Sequence, residues 1–140
     1  MEKKINTIIA DDNKRFLQGL EFILSKMDYK VIETCNDGID LINSPNLQYA
    51  DLILTDLEMP HMGGFEAGLR VNYLYPHIPI IALTMHQEKV YLEEIIKSGF
   101  KGFIYKPDIS KKISQVIDQV FHNEFAFPKK IKTKITEELL

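Results

Sequence analysis

Short apolar runs alternate along residues 1–123 with segments in which apolar residues recur at the three- and four-residue spacing of an amphipathic helix. The pattern predicts five strands, each followed by a helix. The predicted strands cover residues 5–10, 29–35, 52–55, 78–83 and 102–105. Strands joined through helices run parallel, because each right-handed crossover returns the chain to the same end of the sheet. We therefore expect an α/β fold with helices on both faces of a parallel sheet.

Two central apolar runs limit the sheet topologies that the chain can form. Residues 52–55 and 78–83 are almost continuously apolar, which is typical of strands buried on both faces of a parallel sheet. For five strand–helix units in about 120 residues, the expected fold is a flavodoxin-like, doubly wound, five-stranded sheet of order 2-1-3-4-5 with five helices. Asp37 is the expected N-cap of the second helix and Ser110 that of the fifth.

Composition limits the class of protein and its compartment. The 140 residues suit one domain, and 45% hydrophobic and 26% charged residues exclude a wholly disordered chain. Cys35 is the only cysteine, so an internal disulfide is excluded, a reducing compartment is favoured, and we expect the side chain to be packed. No apolar run is long enough for a membrane helix, and residues 5–10 are too short for a signal peptide. We expect a cytoplasmic protein without membrane contact.

Residues 124–140 depart from the alternating pattern. Pro128 and the four lysines between positions 129 and 134 suggest a basic, solvated linker. Thr136 is a candidate N-cap for a helix of which the chain supplies one turn. The whole chain has a net charge of −3, and because the lysine-rich tail is positive, the domain before it is more acidic than this total. An acidic domain disfavours non-specific binding to nucleic acid. The expected division is a domain at 1–123 and a linker with the start of a further unit at 124–140.

Polar residues follow the predicted strands at the points where the strands end. They are Asp11 and Asp12 after the first strand, Asp56 after the third, Thr84 after the fourth and Lys106 after the fifth. Ligands bind at the carboxyl ends of strands in open α/β sheets. Converging carboxylates repel one another and need a cation, and oxygen ligands suit Mg²⁺. Taken singly, each residue also fits a helix cap, a turn or the surface, but their joint placement favours a site.

Five segments carry a resemblance to a known family. They are residues 8–12 (IIADD), 51–60 (DLILTDLEMP), 61–64 (HMGG), 81–86 (IALTMH) and 99–107 (GFKGFIYKP). The sequence resembles the CheY-like receiver domain of bacterial two-component response regulators over roughly residues 3–123. The segments 83–86 and 99–102 are most similar to the NarL/FixJ subfamily, in which a LuxR-type helix-turn-helix effector domain follows the receiver. The resemblance implies that residues 124–140 lead into such a domain.

The resemblance assigns roles to the acidic residues. Asp56 would be the phosphoacceptor that takes a phosphoryl group from a phosphohistidine of a sensor histidine kinase. Asp11, Asp12 and Asp56 would hold Mg²⁺ together with the backbone carbonyl of Glu58. The Glu58 side chain lies close enough to the expected site to repel a phosphoryl group or position a water, although a solvent-facing position is the expectation.

The resemblance also implies a switch. Thr84 and Lys106 would contact the phosphoryl oxygens, and Phe103 would change position with Thr84, although Phe103 also fits a plain core residue of the fifth strand. The peptide bond between Lys106 and Pro107 would be cis, as in most receivers. The output would be homodimerisation on phosphorylation or control of an effector domain, with DNA contacted only through a C-terminal domain absent from this chain.

Three other functions share part of this residue pattern. A stand-alone receiver or phosphorelay protein acting through protein contacts would share every site residue. A haloacid dehalogenase-type phosphatase needs an Asp-x-Asp pair, whereas Asp56 is followed two positions later by Glu58. A flavodoxin-like FMN carrier needs a Ser-, Thr- or Gly-rich loop after the first strand, where residues 11–15 read DDNKR. A signalling domain, not an enzyme, is therefore the expected class.

Overall fold

Strands and helices alternate in the computed structural model, which describes residues 4–131. The strands are β1 Ile5–Ala10, β2 Tyr29–Cys35, β3 Leu52–Asp56, β4 Ile80–Thr84 and β5 Gly102–Tyr105. The helices are α1 Lys14–Ser25, α2 Gly38–Ile42, α3 Gly64–Leu74, α4 Lys89–Lys97 and α5 Ile109–Phe121. All strand pairs are parallel and the order is β2-β1-β3-β4-β5, which confirms the predicted fold class.

The sheet lies between two hydrophobic layers. Every residue of β3 and β4 is buried, as their nearly continuous apolar sequences predict. Successive side chains of a strand point to opposite faces, so Ile8 packs with α2, α3 and α4 while Ile9 packs with α1 and α5. Phe103 and Ile104 divide the two faces of β5 in the same way. The strand ends are thereby held in fixed positions by a core on both sides.

Several predicted boundaries differ from the structure. β3 and β4 each end one residue later than predicted, at Asp56 and Thr84. β4 begins at Ile80 instead of residue 78, because Pro79 lacks an N–H and contributes only its carbonyl, which accepts from Ile53. Ser110 is not the N-cap of α5, because a short 3-10 turn over Lys106–Asp108 leads directly into the helix and Ser110 lies within its first turn. The predicted cap of α2 is confirmed, since the Asp37 side chain accepts from the backbone N–H of Asp40.

The chain after α5 returns to the edge of the sheet. Ala126 forms a parallel bridge with Gly102, and Phe127 and Ile131 are buried against the domain. A β-carbon at Gly102 would lie 2.8 Å from the Ala126 side chain, so glycine permits the close approach. The division near residue 123 stays a prediction, and the helix expected from Thr136 lies outside the described residues.

Two further findings concern Cys35 and the helices. Cys35 is 1% exposed, so the cysteine is packed as predicted. Its burial, followed by the charge of Glu33, raises the pKa of the thiol to about 12. Along residues 4–131, no helix combines the length and the apolar character that crossing a membrane requires.

Candidate functional site

The strand register assembles the predicted site residues at one edge of the sheet. β1 and β3 pair so that Asp11 and Asp56, at the carboxyl ends of the two strands, lie side by side. Asp56 pairs with Leu83, which places Thr84 next to it at the end of β4. Thr84 in turn pairs with the residue before Lys106. Four strand ends thus converge on one cleft, as expected for an open parallel sheet.

Three carboxylates form the floor of the cleft. Oxygen atoms of Asp11, Asp12 and Asp56 all lie within 4.8 Å of one another. Asp11 is fully buried and Asp56 is 7% exposed, whereas Asp12 is exposed. Burial first, and the neighbouring charge of Asp11 second, raise the pKa of Asp56. The backbone N–H of Leu57 donates to Asp56 Oδ1 at 2.8 Å and fixes the orientation of the carboxylate.

Lys106 provides the cation that faces this cluster. Its Nζ atom lies 2.7 Å from Asp11 Oδ2 and 3.3 Å from Asp56 Oδ2. Desolvation lowers the pKa of Lys106, but the contact with Asp11 and the charge of Asp56 outweigh it, so the pKa is raised overall. The ammonium also lies 4.7 Å from the centroid of the Phe16 ring. The lysine is therefore charged and directed into the cleft.

The peptide bond between Lys106 and Pro107 is trans, so the predicted cis bond is wrong. The 3-10 turn over Lys106–Asp108 carries Pro107 at its start, where the fixed φ of proline suits a helical turn. Trans is also the lower-energy form of an X–Pro bond. The lysine reaches both Asp11 and Asp56 in this arrangement, so the cis bond is not required to direct it inward.

The charge balance and the donor types fit a divalent cation. Three carboxylates, Asp11, Asp12 and Asp56, face one ammonium, that of Lys106, which leaves two negative charges in the cleft. Carboxylate oxygens with an open side toward solvent are the donors that Mg²⁺ uses. The residues present therefore fit Mg²⁺.

Asp11 and Asp12 do not cap helix α1, although their position in the sequence also allows that role. Asn13 is the N-cap of α1, and its side chain accepts from the N–H of Phe16 at 3.1 Å. Asp11 Oδ1 accepts from the N–H of Asn13 at 2.9 Å, which orients this carboxylate. The capping role falls to the third residue of the loop, and Asp11 and Asp12 are left for the cleft.

Gly63 and Gly64 bring the start of α3 close to the end of β3. The N–H of Gly64 donates to the carbonyl of Leu57 at 2.9 Å. A β-carbon at Gly64 would collide with the carbonyl oxygen of Asp56, and one at Gly63 would lie 2.7 Å from that of Leu57. Glycine is therefore required for the close packing that holds the Asp56 loop.

The loop after β4 forms the opposite wall. Thr84 is 1% exposed, and its hydroxyl accepts from the N–H of His86 at 2.9 Å. The His86 ring lies 3.2 Å from Glu58 through Nε2 and 5.0 Å from the Tyr91 ring, centroid to centroid. The Glu58 side chain is 71% exposed, as expected for a solvent-facing residue. Burial raises the pKa of Tyr91, and a hydrogen bond with Thr84 partly opposes that effect.

Phe103 lies half-buried on β5, on the α4 side of the sheet. Its ring stacks on that of Phe127, with centroids 5.6 Å apart and planes inclined by 23°. The sequence interpretation missed Phe127, Phe16 and Tyr91 as neighbours of the site residues. Phe16 and Tyr91 occur at positions that read as ordinary helix residues, and Phe127 follows the last predicted strand–helix unit, so no local signal identified them.

Comparisons with known proteins agree with this geometry. The response regulator receiver domain family matches residues 7–118. DegU, a transcriptional regulatory protein of Brevibacillus brevis, is 29% identical over 106 residues, which are 75% of this chain and 45% of DegU. The oxygen regulatory protein NreC of Staphylococcus epidermidis is 28% identical over 135 residues, which are 95% of this chain and 62% of NreC. The chain thus spans about half to two thirds of the length of these curated relatives.

Solved structures of response regulators share the fold of this chain. The non-phosphorylated receiver domain of the stress response regulator RcsB from Escherichia coli superposes with a TM-score of 0.80 at 25% identity, over 90% of this chain and 99% of that one. A LuxR-family two-component response regulator from Aurantimonas gives 0.82 at 21% identity, over 96% and 97% of the two chains, and shows the fold alone.

The chain belongs to the response regulator receiver domain family. The curated relatives DegU and NreC are regulatory proteins, in agreement with the NarL/LuxR-type response regulators that the sequence resembles.

Proposed function

We propose that this receiver domain accepts a phosphoryl group on Asp56 from a sensor histidine kinase, with Mg²⁺ bound by Asp11, Asp12, Asp56 and the backbone carbonyl of Glu58. The observation that carries the proposal is the meeting of Asp11, Asp56 and Lys106 within hydrogen-bonding distance at the carboxyl ends of three strands. Buried acids paired with a directed lysine are typical of a site that handles a charged group.

In the transfer, an oxygen of the Asp56 carboxylate forms a bond to phosphorus while the phosphorus–nitrogen bond of the phosphohistidine breaks. The bonding electron pair leaves with the imidazole, which takes up a proton from solvent. The product is an acyl phosphate on Asp56. Asp11, Asp12 and Asp56 would hold Mg²⁺, which would supply positive charge to the phosphoryl oxygens.

The residues of the chain hold the reactants in place. The N–H of Leu57 fixes the Asp56 carboxylate, and the ammonium of Lys106, already 3.3 Å from Asp56, pairs with the new phosphoryl oxygens. The hydroxyl of Thr84, at the neighbouring strand end, provides a further hydrogen-bond donor once it turns toward Asp56. The Leu57 N–H and the Lys106 ammonium are aligned before the reaction, so they lose little freedom when it occurs.

The signal then leaves the site through Thr84 and Phe103. Phosphorylation adds about −1.5 to −2 charges, which draws Thr84 inward and opens space beside it for the Phe103 ring. The proposed output is homodimerisation or control of a downstream DNA-binding domain, and thereby transcription, in the cytoplasm. A stand-alone receiver acting through protein contacts is the alternative output.

The test is phosphorylation by acetyl phosphate, measured as the mass of one added phosphoryl group in the presence and absence of Mg²⁺. Labelling is expected only with Mg²⁺, and Asp56→Asn abolishes it. Asp118→Asn is the matched control, because this carboxylate is 75% exposed and lies on α5. Metal-independent labelling that persists in Asp56→Asn would disprove the proposal.

A further inference from the structure

The residues after α5 cover the outer edge of β5. We call residues 125–131 the C-terminal strap. Within it, Phe127 is 7% exposed and Ile131 is 5% exposed, and both join the hydrophobic cluster on the α4 side of the sheet. Phe127 stacks on Phe103, the aromatic residue of the proposed switch. The strap therefore contacts one of the two side chains proposed to carry the signal out of the phosphorylation site.

Few other interactions hold the strap. The N–H of Ala126 donates to the carbonyl of Lys101 at 2.9 Å, and the N–H of Phe103 donates to the carbonyl of Ala126 at 3.4 Å. In a parallel ladder the next donor would come from residue 128, which is proline and has no N–H. The bridge thus ends after one residue. With two backbone hydrogen bonds to the sheet, the attachment of the strap depends mainly on the burial of Phe127 and Ile131.

We propose that the C-terminal strap is attached when Asp56 is unphosphorylated and detaches when Asp56 is phosphorylated, with Phe127 sensing the position of Phe103. The inference rests on the proposed function. The proposed switch moves the Phe103 ring toward Thr84, and a ring so moved leaves its stacked position 5.6 Å from the Phe127 ring. Phosphorylation therefore removes the stacking partner of Phe127 and leaves this buried ring without its aromatic contact.

The coupling must act in both directions, because linkage between two sites is reciprocal. If phosphorylation loosens the strap, loosening the strap favours the conformer in which Phe103 lies inward. Phe127→Ala is therefore expected to bind beryllium fluoride with Mg²⁺ more tightly than the unsubstituted protein. Phe125→Ala is the matched control, since the Phe125 ring is 44% exposed and lies 5.1 Å from the Lys101 ammonium instead of on Phe103.

Trypsin provides the direct readout. Lys129 and Lys130 are exposed, but Ile131 is buried, so the bond between Lys130 and Ile131 enters a protease only after the strap detaches. Mass spectrometry measures the rate at which the product ending at Lys130 forms. Beryllium fluoride with Mg²⁺ is expected to raise this rate at least about fivefold, the low end of typical coupling between sites.

The variants define the expected pattern. Phe127→Ala is cleaved rapidly with or without beryllium fluoride, and Phe125→Ala keeps the response of the unsubstituted protein. Phe127→Leu keeps an apolar side chain but removes the stacked ring, so its basal rate is intermediate and its response smaller. A full response in Phe127→Leu would overturn the inference, and this variant keeps the test valid if Phe127→Ala does not fold.

Fluorine NMR separates the two proposals. Bound beryllium fluoride with an unchanged cleavage rate and unchanged hydrogen exchange at the Ala126 amide overturns the strap mechanism and leaves the proposed function standing. The absence of any bound fluoride signal at saturating Mg²⁺ overturns both. Bound fluoride with faster cleavage and faster exchange supports both.

Discussion

The Nζ atom of Lys106 lies 2.7 Å from Oδ2 of Asp11, nearer than the 3.3 Å that separates it from Asp56. The lysine thus pairs most closely with a carboxylate that is also proposed to hold Mg²⁺. Under the proposed function, the ammonium and the metal ion therefore compete for Asp11 in the unphosphorylated protein.

This competition predicts that Lys106→Met binds Mg²⁺ more tightly than the unsubstituted protein, by about tenfold. The substitution removes a positive charge a few ångströms from the metal site, and the repulsion between such charges is about 1 kcal/mol or more. Isothermal titration calorimetry without a phosphodonor measures the affinity. Lys112→Met, at an exposed position of α5, is the control. An unchanged affinity in Lys106→Met would mean that the lysine leaves Asp11 at no cost.

The close packing of α3 on β3 predicts opposite effects for two glycine substitutions. Gly64→Ala forces a β-carbon against the Asp56 carbonyl and should lower the free energy of unfolding by about 1–3 kcal/mol. Gly19→Ala, at an exposed position of α1 with no atom within 4 Å of the new β-carbon, should raise it by about 0.4–1 kcal/mol. Urea denaturation measures both. Equal effects would contradict the packing argument.

Cys35 should resist alkylation in the folded protein. Its thiol is 1% exposed with a pKa of about 12, so the thiolate is rare at pH 8 and sterically shielded. Against a free cysteine of pKa about 8.5, the rate of reaction with iodoacetamide should fall by roughly a thousandfold. Labelling followed by mass spectrometry gives the rate, with the urea-unfolded protein as the reference. Rapid labelling under native conditions would show that β2 opens readily.

His122 should titrate above its ordinary range. Its Nδ1 atom lies 2.7 Å from the backbone carbonyl oxygen of Asp118, and this hydrogen bond, followed by the charge of Asp118, raises the pKa of the imidazole. For a base with a raised pKa, the contribution to stability is full below the unfolded-state pKa and is lost as the pH rises through the folded-state pKa. NMR titration measures the pKa directly.

Asp118→Asn tests which interaction dominates at His122. The variant keeps the backbone acceptor and removes the charge, so the pKa of His122 should fall only in part. A pKa that returns fully to that of the unfolded protein would show that the hydrogen bond contributes nothing.

The sequence predicted the strand ends well because the apolar runs stop at polar residues. Asp56 and Thr84 each end a buried strand, and a parallel sheet brings such ends together whatever the details of the helices. The convergence of the acidic residues followed from this rule, whereas the sheet order followed from the five strand–helix units. The apolar pattern could not predict boundaries that depend on one hydrogen bond, such as the start of β4 near Pro79.

The spacing of apolar residues could not predict contacts between residues that lie far apart in the sequence. Phe127 follows the last predicted helix in a segment too short to show a period, so only the folded chain shows that it reaches Phe103. The prediction for the Lys106–Pro107 peptide bond was wrong for another reason. Its cis form was implied by a family likeness, whereas the turn that follows Lys106 accommodates a trans bond.

The bridge between Ala126 and Gly102 also bears on the solubility of the domain. β5 is the last strand of the sheet, and exposed strand edges recruit further strands from other molecules. Ala126 occupies the backbone groups of Lys101 and Phe103 on that edge, and Pro128 prevents the added strand from growing. A domain trimmed at residue 123 would lose both protections, and its uncovered edge would be the natural starting point for aggregation.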